Sequence, residues 1–70
     1  MAYIDESFYQ VVRCFKDNKL YVYNKSENSN LTEDYSIIKC FPLNESGEVI
    51  DKVIMIYRKD LAAAQIEKIA

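Results

Sequence analysis

The sequence predicts a small α+β domain, a two-layer sandwich of about four mostly antiparallel strands with a C-terminal α-helix packed on one face. Four stretches carry that expectation. Phe8–Phe15 and Lys19–Lys25 are short Val-, Tyr- and Phe-rich runs on either side of a polar connection. Glu48–Arg58 is a longer run dense in β-branched and aromatic residues. Asp60–Ala70 is alanine-rich and opens on a helix-capping residue type.

Seventy residues make one domain, 1–70. A chain this short buries only about 60% of the surface its unfolded form exposes, so its stability is marginal. Half of its residues are hydrophobic, too many for intrinsic disorder, so a core is expected.

The first two runs read as a hairpin. Asp17 and Asn18 are the non-glycine residues that best tolerate left-handed backbone angles. A loop of Lys16-Asp17-Asn18, with Asn18 left-handed, sets Phe15 opposite Lys19, Arg13 opposite Tyr21 and Val11 opposite Tyr23. One face then carries Tyr9, Val11, Arg13, Phe15, Tyr21, Tyr23 and Lys25. The other carries Phe8, Val12, Cys14, Leu20 and Val22, which is wholly apolar and reads as core. A two-residue loop would pair Phe15 with Leu20 and mix the faces.

Ser26–Asn30 is a polar loop. Residues 31–41 carry two signals. Thr32 before Glu33 and Asp34 resembles a helix start. Tyr35, Ile37, Ile38, Cys40 and Phe41 favour a strand, and Pro42 biases Phe41 toward extended geometry. The strand is preferred. Gly47, the single glycine, supplies a turn. Glu48–Arg58 follows as a central strand built on Val53, Ile54, Met55 and Ile56. Asp60 caps a helix from Leu61, with Leu61, Ala64, Ile66 and Ile69 as its docking residues. The alternative for residues 48–70 is one long helix with Ile50, Val53, Ile54, Tyr57, Leu61 and Ala64 on one face.

The inventory argues against an enzyme. With no histidine, the commonest acid–base group near neutral pH is missing. Asp5-Glu6 and Glu33-Asp34 are sequence neighbours, which read as solvated surface. Cys14 and Cys40 have no histidine to complete a zinc site and read as reduced core residues. No motif for a metal, nucleotide or other cofactor is present. The Asn-x-Ser/Thr triplets at Asn24, Asn30 and Asn44 read as coincidence in an Asn-rich chain. No apolar run follows Met1 and no segment approaches a membrane span, so a cytoplasmic protein without a membrane partner is expected.

Charge is arranged in blocks within a net −2. Residues 1–12 sum to −2, 13–25 to +3, 26–51 to −5 and 52–70 to +2. The basic block coincides with the aromatic hairpin face. Tyr9, Arg13, Phe15, Tyr21 and Tyr23 are therefore the expected partner-binding residues, since Tyr and Arg dominate interface hot spots. The preferred reading is a non-enzymatic module that binds a protein. A small cytosolic chain of this composition fits the stoichiometric inhibitor or accessory proteins of phages and mobile elements, such as inhibitors of host defence. The alternative is a module for single-stranded nucleic acid, its bases stacked on those aromatics, although the acidic balance opposes it. A homodimer is compatible with either.

Overall fold

A computed structural model describes residues 4–64. Its strands are β1 (Tyr9–Cys14), β2 (Leu20–Asn24), β3 (Ile37–Pro42), β4 (Ile54–Tyr57) and β5 (Leu61–Ala63), with the 3-10 turn Arg58–Asp60 between the last two. All neighbouring strands are antiparallel, in the order β4-β3-β2-β1-β5. The terminal strands in that order are consecutive in the chain. Four strand spacings are about 19 Å, whereas a three-residue 3-10 turn rises only about 6 Å. The sheet must therefore curl, and it forms a half-barrel.

The α+β expectation is thereby overturned. There is no α-helix among the described residues, and there are five strands. Leu61–Ala63, placed in the C-terminal helix by sequence, is β5, with Cys14 opposite Leu61 and Val12 opposite Ala63. Alanine's helix preference is worth only a few tenths of a kcal/mol per residue, roughly, less than the open ladder along β1 offers. Asp60 does not cap a helix. Its carboxylate is largely buried between Lys16 and Lys59, 3.6 and 3.1 Å away, and its carbonyl accepts the Phe15 N–H at 2.8 Å. The expected docking residues Ile66 and Ile69 lie outside the described residues.

The one-long-helix alternative fails at the same place, because Ile54–Tyr57 is extended and paired to β3. This strand is shorter than expected and lies at a sheet edge. The central position belongs to β2. Of residues 31–41, 37–41 are strand, within Ile37–Pro42. The helix-like start at Thr32 produces a single turn, closed by the Ser36 N–H on the Glu33 carbonyl at 3.0 Å.

The first hairpin has its left-handed Asn18 (φ 59°), but the loop is one residue longer than expected. Phe15–Asn18 form the turn, closed by the Cys14 N–H on the Lys19 carbonyl and the Asn18 N–H on the Cys14 carbonyl, 2.9 and 2.8 Å. Arg13 is consequently opposite Leu20, Val12 opposite Tyr21 and Val11 opposite Val22. A shift of one residue sends every side chain of one strand to the other face. The inner core is Val12, Cys14, Tyr21, Ile38 and Cys40, packed by Tyr23, Leu31, Ile54, Ile56 and Leu61.

One carboxylate ties this turn to the core. Asp17 accepts the Lys19 N–H at 2.9 Å on one oxygen and the Tyr21 hydroxyl at 2.5 Å on the other. That hydrogen bond, then burial, pushes the Tyr21 phenol up to about 12. Desolvation works against the Asp17 charge, but its hydrogen bonds outweigh it and hold the carboxyl below its ordinary value. Because the Tyr21 value is raised, its stabilisation is complete below pH 10 and is lost as pH rises through about 12. Asp17 acts in the opposite sense, its contribution fading as pH falls below 3.8. Tyr21→Phe is expected to cost about 1 kcal/mol at neutral pH, since water can replace the phenol at exposed Asp17. Urea midpoints should also fall less in that variant than in the wild type between pH 10 and 12.

Both cysteines are free and buried. Cys40 is completely enclosed, and burial pushes its thiol up to about 12. A thiol-specific reagent at neutral pH is expected to label Cys40 only as fast as the protein unfolds; rapid labelling of the native fold would show the core to be open.

Candidate binding surface

Alternation along the strands assigns the outward face. Tyr9, Val11 and Arg13 of β1, Leu20 and Val22 of β2, and Ile37, Lys39 and Phe41 of β3 point away from the inner core. On β4 the outward pair is Met55 and Tyr57. Val11, Val22 and Phe41 are direct cross-strand neighbours and form an apolar row over three strands. Val22 is 1% exposed although it faces outward, because the chain folds over it from both sides.

Two segments provide that cover. One is the approach to β1 around Ile4. The other is the excursion between β3 and β4, where Leu43 bridges Val49 and the Ile50 N–H returns to the Pro42 carbonyl at 2.8 Å. This excursion turns at Asn44, whose side-chain oxygen accepts the Ser46 and Glu48 N–H groups, both at 2.9 Å, and at Gly47 with φ 80°. A positive φ at the residue is what glycine permits at little cost. Between the two segments lies a groove of about 300 Å³ lined by Ile4, Tyr9, Val22, Phe41, Val49 and Asp51.

The five residues expected to bind a partner do not share one face. Tyr9 and Arg13 lie outward and exposed. Arg13 Nη1 donates to the Asn18 carbonyl at 3.0 Å, so the guanidinium partly serves the turn. Phe15 is two-thirds exposed on that turn. Tyr21 and Tyr23 point inward, the first buried and the second half-buried against the core. Tyr9 alone of the five lines the apolar groove. With Arg13, Lys25 and Glu6 it also borders a more polar depression beside Ala63 and Ala64.

Sequence reasoning passed over a second apolar area, at the β3–β4 rim. Ile37 lies opposite Tyr57 and Lys39 opposite Met55. The Tyr35 and Tyr57 rings meet edge to face at 5.9 Å, and Lys59 Nζ lies 5.8 Å from the Tyr35 ring centre. Lys59 is held above its ordinary value first by its hydrogen bond to Asp60 and then by that residue's charge. Tyr35, Ile37, Met55 and Tyr57 leave between 42 and 72% of their surface in solvent. The available signal was the alternation of Ile37, Lys39 and Phe41 with Ile38 and Cys40, hidden because both sets are largely apolar.

No group of three or more His, Cys, Asp or Glu side chains is placed to hold a metal among the described residues, and no helix there is long and apolar enough to cross a membrane. No family model, curated protein or solved structure matches the chain.

The two classes of outward residue should separate in stability measurements. Ile37→Lys and Met55→Lys are expected to change the unfolding free energy by less than about 0.5 kcal/mol. Val22→Ala, at the floor of the groove, should cost about 1–3 kcal/mol in chemical denaturation.

Proposed function

We propose that this chain is a non-enzymatic protein-binding module acting stoichiometrically in the cytoplasm, as an inhibitor or accessory protein of the phage or mobile-element kind. The observation that carries the reading is the bare edge of β4. Sheet edges are commonly blunted by charge, proline or a bulge. The four residues Ile54–Tyr57 contain neither charge nor proline. The Arg58 N–H on the Ser36 carbonyl fixes the phase of the β3–β4 ladder. Antiparallel alternation then turns the backbone groups of Met55 and Tyr57 away from β3. The same two residues carry exposed apolar side chains beside Ile37 and Tyr35. An edge that offers both free backbone groups and apolar side chains suits the addition of a strand from a partner.

The inventory supports a binding role in the same direction, since the chain has no histidine and both thiols are enclosed. The nucleic-acid alternative draws less support from the register. Tyr21 and Tyr23, which would have stacked bases beside Arg13, face the core.

Met55→Lys places a charge on the edge without touching the core, and this makes it the test. Immobilised wild-type protein should retain a partner protein from a bacterial host lysate at equimolar ratio, and Met55→Lys should retain about tenfold less. Equal capture by the variant, or co-purification of single-stranded nucleic acid in place of protein, would remove the reading.

A further inference from the structure

The groove on the outward face differs from the β4 edge in shape and in charge. Its floor and walls are apolar, from Ile4, Tyr9, Val22, Phe41 and Val49, and its one charged lining residue is Asp51. Neither ion pair among the described residues involves Asp51. Both segments that border the groove are acidic. The approach to β1 brings Asp5 and Glu6 directly after Ile4, and the β3–β4 excursion brings Glu45 and Glu48 before Val49. Asp5, Glu6, Glu45, Glu48 and Asp51 thus belong to the two segments that border one apolar opening. Basic residues near it are Lys52, which follows Asp51, and Lys25, whose Nζ donates to the Glu6 carbonyl at 2.5 Å beside the neighbouring depression.

A groove of about 300 Å³ is at the small end of ligand pockets and suits a side chain better than a whole cofactor. We infer that it takes one apolar side chain from an extended, basic segment of a partner protein, with a Lys or Arg of that segment pairing with Asp51. The apolar side chain supplies burial against Val22 and Phe41. The acidic borders supply steering and select against acidic segments. This deepens the protein-binding reading but uses a surface separate from the β4 edge, so the two fail independently.

The test uses the full chain and fluorescein-labelled decapeptides with a central Leu or Phe flanked by Lys and Arg. Two controls replace the basic residues by Glu, or the central residue by Ala. Anisotropy should show the basic apolar peptides binding at least about tenfold tighter than either control, and binding should weaken as salt is raised. Backbone amide shifts on binding should centre on Val22, Phe41, Val49 and Asp51. Asp51→Lys, at an exposed position, should lower affinity by about tenfold while its amide spectrum remains that of the folded protein.

Equal binding of the Glu-containing peptides, unchanged affinity in Asp51→Lys, or shifts centred on β4 would overturn the proposal. So would a dimer whose interface maps to the groove. Binding that appears only after removal of residues 1–3 would assign the groove to the chain's own N-terminal segment and likewise overturn it. If no peptide binds while partner capture remains Met55-dependent, the groove proposal falls and the edge reading stands. If the peptides bind as described and capture ignores Met55, the reverse holds.

Discussion

The register of the first hairpin is the constraint on which the rest of the molecule depends. A four-residue turn with left-handed Asn18 sets Val12 against Tyr21 and Val11 against Val22. Asp17 reinforces it by holding the Lys19 N–H and the Tyr21 hydroxyl together. With that pairing Val12, Cys14 and Tyr21 fall on one face, where Ile38 and Cys40 of β3 complete a core. A slip by one residue, as a three-residue loop would give, would keep Val12 and Cys14 inward but bring Leu20 and Val22 to that face in place of Tyr21 and Tyr23. The four-residue turn selects the observed pairing, and with it the hydrogen bond that holds Tyr21 to Asp17.

The second constraint is the short link from β4 to β5. Three residues cannot span a flat five-stranded sheet, so the curl follows from chain length. Asp60 fixes where the curl closes. Its carbonyl receives the Phe15 N–H from the hairpin turn, and its enclosed carboxylate is paired with Lys16 and Lys59. A buried carboxylate is tolerable only with such partners, which makes the closure specific to this contact between turn and link. The consequence reaches the surface. Closing β5 onto β1 covers one edge of the sheet's first hairpin and leaves β4 at the other end with its apolar residues outward.

The outward surface is therefore divided by construction. The apolar row Val11–Val22–Phe41 is partly roofed by the chain's two acidic segments, which makes a groove with negative borders. The β3–β4 rim is more open, with Lys39 opposite Met55 and Lys59 beside the Tyr35 ring, where Asp34 also lies close to Lys59. The acidic borders of the groove can orient a partner as well as hold it, since they reject acidic segments.

Sequence alone was enough for two antiparallel hairpin strands around Asp17-Asn18 and a turn at Asn44–Gly47, and it favoured extended backbone at 37–41 and 54–57 while leaving a helix open at each. These features depend on residues close together in the chain, where steric preference and turn chemistry act directly. Of the five residues expected to bind a partner, Tyr9, Arg13 and Phe15 are exposed, and Tyr9 alone lines the groove. Sequence did not determine the side on which Tyr21 and Tyr23 lie, because β2 is largely apolar on both faces and only the turn length, one residue longer than expected, sets its side. Nor did it determine the state of Leu61–Ala63, where a weak helix preference met the open ladder of β1, a partner nearly fifty residues earlier in the chain. The groove is the clearest case of this kind. Ile4, Tyr9, Val22, Phe41, Val49 and Asp51 are dispersed along the sequence, and only the curled sheet brings them together.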